Sequence, residues 1–271
     1  MLTAIRRHLR PAPAPRRYTE AYPRVQVFEW RPQGGAINFG DHLARVVVDR
    51  VLAGRGLTAQ DETAAAATLF SVGSVLHFAQ DGAVVWGAGI NGKVALQEHR
   101  FRRLDVRAVR GPRTAEQLQR WGIAVPAVYG DPALLLPTLF ADRFAPRPRR
   151  RAAFVPNLHD LEGLQSPVPV ISPLWGWNRV VSEILGCELV LASSLHGLIV
   201  AESFGIPARY VRLSETENRF KYDDYAQGTG RPDLQPARSI AEGLAMGGLA
   251  PIVFDPQALL SAFPWDLWAC T

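Results

Sequence analysis

Residues 187–207 run from an apolar strand through a short polar turn into an apolar helix that ends at a glycine shortly before a proline. His196 lies where the turn becomes the helix, and Ser193, Ser194 and Gly197 surround it with small residues. The carboxyl end of a strand beside a helix N-terminus is where open α/β sheets bind ligands, anions especially. This segment therefore predicts an α/β fold with a ligand site at His196.

Short apolar strands alternate with helices twice along the chain, on either side of residues 146–151, which are rich in proline and arginine. Such alternation is typical of βα units that build parallel sheets. We therefore predict two Rossmann-like domains that face a cleft, over residues 25–146 and 147–271, after a basic extension over residues 1–24. A chain of 271 residues is long enough for two such domains.

The apolar runs predict strands over residues 25–30, 68–72, 83–86, 104–107, 127–129, 152–155, 168–171, 189–192 and 208–211. Helical spacing of apolar residues predicts helices over residues 42–53, 115–121, 178–186, 198–204 and 239–246. The first helix follows a glycine-rich loop and is expected to be capped by Asn38 or Asp41. Residues 220–225 mix aromatic and charged side chains and are expected to form a loop, which either grips a sugar or phosphate or is an exposed turn.

The charge of the chain limits the partners that it can have. The net charge is +5, and arginine supplies almost all of the cationic charge, since Lys93 and Lys221 are the two lysines. The arginine clusters are Arg6, Arg7, Arg10, Arg16 and Arg17 near the start, and Arg147, Arg149, Arg150 and Arg151 in the middle. Two interpretations stay open: attraction to anionic lipid or an acidic substrate, and a solvated terminus with a solvated linker. Genomic base composition also favours arginine, so a nucleic-acid partner is not expected.

Targeting and metal signals are absent from the sequence. No apolar run is long enough to span a membrane, and no apolar segment follows the basic start as in a secretory signal. We therefore expect a cytoplasmic protein, with peripheral contact to the inner face of the membrane left open. Cys187 and Cys270 suit neither a disulfide framework nor a metal site, and no histidine has metal-ligand spacing to another.

Three further turns follow predicted strands. Residues 87–92 match G-x-G-x-x-G, but the acidic residue expected about 20 positions later is missing, so a tight turn is favoured over dinucleotide binding. Arg110 and Arg113 lie where planar guanidinium groups suit a carboxylate or a phosphate, although a helix start with surface arginines is the alternative. Asp131, which precedes a proline, fits a structural turn or a ligand contact equally well.

Taken together and in this order, these motifs resemble the polysaccharide pyruvyl transferase family. The resemblance spans about residues 25–225. It rests on residues 188–202 and 204–207, with support from residues 38–41, 86–89, 107–113 and 130–132. The chain length and residues 220–225 resemble the bacterial exopolysaccharide branch, whose members pyruvylate xanthan and succinoglycan.

The resemblance implies a fold similar to that of GT-B glycosyltransferases, with the acceptor on the N-terminal domain and the donor on the C-terminal domain. It also implies phosphoenolpyruvate as the donor, no cofactor, and a saccharide acceptor that is often lipid-linked. The product would be a cyclic pyruvate ketal that bridges two hydroxyls of one sugar.

This chemistry needs a proton on C3 of the enolpyruvyl group, and we expect His196 to deliver it. Many members carry Arg-Leu-His, but Ser194 stands at the arginine position here, so another cation must hold the donor. The residues expected to bind the donor are Arg110, Arg113, Ser193, Ser194, Gly197 and Lys221. The residues expected to bind the acceptor are Asn38, Asp41, His42 and Lys93.

Other functions stay open at this point. A GT-B glycosyltransferase would use a nucleotide sugar and release a nucleoside diphosphate, whereas pyruvyl transfer releases inorganic phosphate. A non-catalytic glycan- or nucleotide-binding protein would bind without turnover and would tolerate the loss of His196. A nicotinamide-dependent dehydrogenase is the least favoured alternative.

Overall fold

The computed structural model describes residues 22–215 and 217–269. Most of the predicted basic extension, including the arginine cluster from Arg6 to Arg17, lies outside the described residues, as does Cys270. The strands are β1 (Val25–Val27), β2 (Ala67–Phe70), β3 (Val84–Trp86), β4 (Asp105–Ala108), β5 (Arg150–Val155), β6 (Cys187–Ala192) and β7 (Ala208–Tyr210). The α-helices are α1 (Phe39–Ala53), α2 (Pro112–Arg120), α3 (Leu136–Leu139), α4 (Trp177–Ile184), α5 (Leu195–Ser203), α6 (Phe220–Gly228), α7 (Ile240–Met246) and α8 (Pro256–Ser261). None of these helices is long and apolar enough to cross a membrane.

The strands form two sheets, and neighbouring strands run parallel in both. The first sheet has the order β1-β2-β3-β4 and the second has the order β5-β6-β7. The first sheet precedes residue 146 and the second follows residue 147. An α/β fold with parallel sheets is therefore confirmed, while the Rossmann-like domains, their boundaries and the likeness to the GT-B fold stay predictions.

Two of the predicted strands are reduced to single bridges. Residues 127–129 join the first sheet through Tyr129, and residues 168–171 join the second through Val170. β5 begins at Arg150, inside the predicted linker, because this arginine already pairs with β6. The proline and arginine pattern therefore marks the start of the second sheet as well as the connection to it.

Residues 220–225 lie in α6, so the expectation of a loop there is wrong. Tyr222 and Tyr225 are buried in spite of their hydroxyl groups. Tyr222 donates to the carbonyl oxygen of Ser193 and Tyr225 donates to the carboxylate of Glu202, each at 2.6 Å. A polar side chain is readily buried when it has such a partner, and the local sequence does not reveal partners this distant.

The helices α1 and α5 both begin at a side-chain cap. The Asn38 side chain accepts the Gly40 N–H at 2.9 Å, which confirms the predicted cap of α1. The Ser194 hydroxyl accepts the Gly197 N–H at 3.2 Å at the start of α5. These caps satisfy backbone donors that would otherwise lack a partner in the first turn of each helix.

One hydrophobic core joins the two sheets. Its members come from α1 and from the strands and helices of both halves, and they include Leu43, Val47, Leu69, Val190 and Leu198. The N-terminal turns of α1 and α5 meet at its edge, where a side chain on Gly40 would overlap with the imidazole of His196. The packing of the core therefore fixes the position of His196 relative to α1.

A buried ion pair gives the two halves a second connection. The Arg110 guanidinium, which precedes α2, donates from Nε to the Asp224 carboxylate of α6 at 3.0 Å, and both side chains are fully buried. The Thr114 backbone N–H and hydroxyl also donate to this carboxylate, at 2.9 and 2.7 Å. Arg110 further donates to the Ser74 hydroxyl at 2.5 Å and to the Ile90 carbonyl at 2.7 Å. These bonds compensate for the burial of the two charges. Removing one partner would leave the other charge buried without a counter-charge.

We predict that Asp224→Ala lowers the free energy of unfolding by about 3–5 kcal/mol, because Arg110 then remains buried without its counter-charge. Urea denaturation followed by circular dichroism measures this loss. Arg113→Ala is the matched control, since the Arg113 side chain is 39% exposed in its pair with Asp223 and should cost less than about 1 kcal/mol. Equal losses in the two variants would contradict a structural role for the buried pair.

Candidate active site

A cavity of about 310 Å³ lies between the two halves of the chain. The first half lines it with Trp30, Asn38, Asp41, Ser74, Val75, His77, Phe78, Asn91 and Lys93. The second half lines it with Asn157, Leu158, His159, Ser194, Leu195, His196, Glu217 and Lys221. Many of these residues directly follow the carboxyl ends of β1, β2, β3, β5 and β6. This edge of a parallel sheet is the usual place for a ligand site.

The imidazole of His196 enters the cavity from the first turn of α5. Its side chain is 12% exposed. Gly197 lets α5 approach β5 closely, since a Cβ there would lie 2.8 Å from Cβ of Val155. Gly40 performs the same role from α1, because a side chain there would occupy the space of the imidazole. Two glycines therefore hold the histidine in a tight slot between the helix ends.

The Asp131 carboxylate lies behind the His196 ring and is fully buried. Its Oδ1 accepts the Ala133 N–H at 3.0 Å. Its Oδ2 lies 3.6 Å from Nε2 of His196, and neither of these two buried atoms has a hydrogen-bond partner among the described residues. The arrangement places a carboxylate next to a buried ring nitrogen of His196.

The Asp41 carboxylate lines the cavity from the first turn of α1. Burial raises the pKa of Asp41 from its ordinary 3.8 to about 6, although the positive charges of His196 and Lys221 partly oppose this rise. Near neutral pH Asp41 is therefore mostly ionised, and its buried charge lowers the free energy of unfolding.

Both lysines of the chain meet on one buried carboxylate in the cavity wall. The ammonium of Lys93 lies 2.7 Å from the Glu217 carboxylate, and that of Lys221 lies 2.6 Å from it. Nε2 of His159 lies 3.4 Å from the same carboxylate. Burial lowers the pKa of Lys221, and Glu217 opposes this effect. Two ammonium groups share one carboxylate here, so the cluster has an excess of positive charge.

The structure brings together six of the eleven predicted site residues in the cavity wall: Asn38, Asp41, Lys93, Ser194, His196 and Lys221. The other five lie outside it. Arg110 is buried with Asp224, Arg113 pairs with Asp223 at 3.0 Å, and His42 is hydrogen-bonded to Glu29 at 2.9 Å. Ser193 donates to Asp160 at 2.6 Å, and Gly197 packs on β5.

Several cavity residues were not predicted as site residues. Ser74, Asn91 and Asn157 each follow the carboxyl end of a strand, and that position alone is a signal that would have identified them. Glu217 lies in a connection before α6, and no local pattern distinguishes it. Among the described residues, no group of three or more histidine, cysteine, aspartate or glutamate side chains is placed to hold a metal ion.

Comparison with known proteins identifies a family that the sequence matches. The family model described as polysaccharide pyruvyl transferase matches residues 7–215. The chain is 30% identical over 240 residues to the succinoglycan biosynthesis protein ExoV of Rhizobium meliloti, which covers 82% of this chain and 72% of that protein. It is 24% identical over 208 residues to an uncharacterised protein of Acanthamoeba polyphaga mimivirus, covering 70% of each. The crystal structure of a functionally uncharacterised Klebsiella pneumoniae protein covers 74% of this chain and 87% of that chain, with a TM-score of 0.46 and 12% sequence identity.

The raised pKa of Asp41 makes stability depend on pH. A carboxyl whose pKa is higher in the folded state stabilises the fold below its unfolded value of 3.8, and this contribution is lost as the pH rises through about 6. Asp41→Asn removes the dependence. We predict that the unfolding free energy of the variant, relative to the native protein, rises by about 2 kcal/mol between about pH 4.5 and about pH 7.5.

Urea denaturation at several pH values measures this difference. Asp142→Asn is the control, because Asp142 is exposed and lies outside the cavity wall, and its difference from the native protein should stay flat over the same range. A flat difference for Asp41→Asn would show that this carboxyl titrates as it does in water.

Proposed function

The chain belongs to the polysaccharide pyruvyl transferase family and is a transferase, and we propose that it transfers the enolpyruvyl group of phosphoenolpyruvate to a sugar of an exopolysaccharide. The product is a cyclic pyruvate ketal on two hydroxyls of one sugar, and the other product is inorganic phosphate. The observation that carries the proposal is a single cavity whose wall contains His196, both lysines and Asp41. This set combines a proton donor with a site for an anion.

The charge of the donor is the first requirement. Phosphoenolpyruvate carries a phosphate and a carboxylate, and its binding needs cations that other groups have not already neutralised. Arg110 and Arg113 are each paired with an aspartate. Lys93 and Lys221 share Glu217, so their cluster keeps a positive charge toward the cavity. We therefore propose that the two lysines bind the donor anion. They replace the arginine that many family members carry at the position of Ser194.

The start of α5 supports the same assignment. The first backbone N–H groups of a helix attract anions, and the Ser194 hydroxyl lies at this helix end in the cavity wall. His196 follows two residues later, so a donor bound between the lysines and this helix end lies next to the imidazole. The carboxylate of the donor then has backbone donors, and its phosphate has the lysines.

Proton delivery is the chemical role of His196. The protonated imidazole gives its proton to C3 of the donor, which makes C2 electrophilic, and a sugar hydroxyl then forms a bond to C2. Phosphate leaves C2 as the second hydroxyl closes the ring. A histidine suits this task because it is partly protonated near neutral pH without large tuning.

The acceptor side is formed by the first half of the chain. Asn38 and the ionised Asp41 carboxylate offer oxygen atoms that accept hydrogen bonds from sugar hydroxyls. Trp30 and Phe78 add aromatic surface on the same side of the cavity. Aromatic side chains beside placed polar groups are typical of a small-molecule site. We propose that the sugar lies on this wall, with its two hydroxyls toward His196.

We predict that His196→Ala lowers the release of inorganic phosphate from phosphoenolpyruvate by about 100-fold to 10,000-fold, because the general acid is lost. The assay contains a panel of depyruvylated exopolysaccharide repeat units, succinoglycan fragments among them. His99→Ala, which changes a histidine outside the cavity wall, controls for loss of an imidazole and should retain its rate. Near-native turnover by His196→Ala would contradict the proposed role, and release of a nucleoside diphosphate from a sugar nucleotide would favour a glycosyltransferase.

We predict that Lys93→Met and Lys221→Met each raise the KM for phosphoenolpyruvate about 10-fold or more, because each removes a charged contact to the donor. The change in kcat should be smaller. Arg113→Ala separates the two assignments of the donor site: a KM within about 2-fold of the native value is expected if the lysines bind the donor. A large rise in KM for Arg113→Ala, with little change in the lysine variants, would show instead that the donor binds at the turn of Arg110 and Arg113.

A further inference from the structure

Asp131 is a buried charge beside the cavity that the donor and acceptor contacts above do not use. We propose that Asp131 is the positioning residue of His196: its Oδ2 holds Nε2 of the imidazole, so that Nδ1 faces the cavity and delivers the proton. The inference rests on the proposed function and assigns the individual atoms of the proton donor.

The turn that carries Asp131 is rigid on both sides. Gly130 has a φ of 151°, and a Cβ there would lie 2.8 Å from the Phe254 ring. Pro132 packs against Gly87 so closely that a side chain on Gly87 would overlap with the proline ring. The Ala133 N–H fixes Oδ1 of Asp131 at 3.0 Å. One carboxylate oxygen is therefore used to hold the turn, and the other is left to face the imidazole.

The two atoms that face each other are complementary. Oδ2 of Asp131 and Nε2 of His196 are both buried, both lack a hydrogen bond among the described residues, and lie 3.6 Å apart. A buried polar atom without a partner costs about 1–3 kcal/mol, and more when it is charged. A proton on Nε2 gives both atoms a hydrogen-bond partner. A small movement of the two side chains toward each other then forms a charge-assisted hydrogen bond.

His196 lines the cavity, and because Nε2 is buried beside Asp131 we assign the nitrogen that serves the cavity to Nδ1. Nδ1 lies against Gly40, at the first turn of α1, where any side chain would overlap with it. The charged groups that interact with the ring are Asp41 of the same turn and Asp131 behind it, and Lys221 of α6 interacts in turn with Asp41. With Nε2 held by Asp131, the proton on Nδ1 is the one that a bound donor can receive.

The proton balance follows from this assignment. The Nδ1–H bond breaks as a C3–H bond forms from the electron pair of the C2=C3 double bond, and a hydroxyl oxygen bonds to C2. The proton of that hydroxyl leaves with the phosphate when the C2–O bond to phosphate breaks. The proton of the second hydroxyl returns to Nδ1 as the ring closes, while the Nε2–H bond of the imidazole stays intact and keeps its hydrogen bond to Asp131.

Asp131→Asn tests the role of this carboxylate without removing its structural bond. Asn keeps an oxygen for the Ala133 N–H but turns an amide N–H₂ toward Nε2, which then must accept a hydrogen bond. We expect kcat for phosphate release to fall about 100-fold, with the KM for phosphoenolpyruvate within about 3-fold of the native value. The basic limb of the pH–rate profile should move to lower pH, because the imidazolium loses its counter-charge. Asp131→Asn made on top of His196→Ala should cost no further activity.

Asp255→Asn is the matched control. Asp255 also precedes a proline, and its Oδ1 accepts the Gln257 N–H at 2.9 Å in the same kind of cap at the start of α8. It lies outside the cavity wall. Its rate, KM and pH profile should match those of the native protein, so an effect of Asp131→Asn alone cannot be attributed to a weakened Asp-Pro cap.

Nitrogen NMR of histidine-labelled protein gives a readout that needs no turnover. Neutral His196 should carry its proton on Nε2 in the native protein and on Nδ1 in Asp131→Asn. A native protein with the proton on Nδ1, or a variant with unchanged tautomer and rate, would overturn the positioning role. If the native protein releases no phosphate while the tautomer still switches, the proposed function fails and the pairing of Asp131 with His196 stands.

Discussion

The close approach of two helix N-termini is the constraint on which the rest of the site depends. The first turn of α1 meets the first turn of α5 because one hydrophobic core continues from the first sheet into the second. Gly40 and Gly197 leave room for this approach, and the His196 ring fills the remaining space. Any change that separates the two halves therefore moves the histidine away from Asp41 and Asp131 together, so the integrity of the core and that of the site are linked.

Charge pairing decides which cations are available for chemistry. Arginine is abundant, yet Arg110 is fully buried and bonded to Asp224, where it stabilises the packing of α6 against the start of α2. The two lysines instead meet on Glu217 at the cavity wall, which leaves positive charge toward the cavity. The ionised Asp41 costs stability near neutral pH. A carboxylate retained at such a cost is common where function needs it.

The sequence was sufficient to predict the parallel α/β architecture, a cap of α1 at Asn38 or Asp41, and the strand–turn–helix around His196, because each is specified by neighbouring residues. It was not sufficient where the partner is distant. Arg110 matched an anion-binding pattern, but its partner Asp224 lies 114 positions away and no local signal shows it. α6 was missed for the same reason, since Tyr225 is buried only because Glu202 accepts its hydroxyl. Asp131 fitted a structural turn and a ligand contact equally well, because its distance from His196 is a property of the folded chain.

The central claim is that the cavity places a proton on C3 of phosphoenolpyruvate and joins C2 to a sugar. The most direct measurement is the reaction in deuterium oxide with depyruvylated exopolysaccharide repeat units, followed by mass spectrometry and NMR of the glycan product. We predict a ketal whose pyruvyl methyl group carries one solvent deuterium, formed together with an equal amount of inorganic phosphate. A product that keeps its methylene group and takes up no deuterium, as in simple enolpyruvyl transfer, would contradict it.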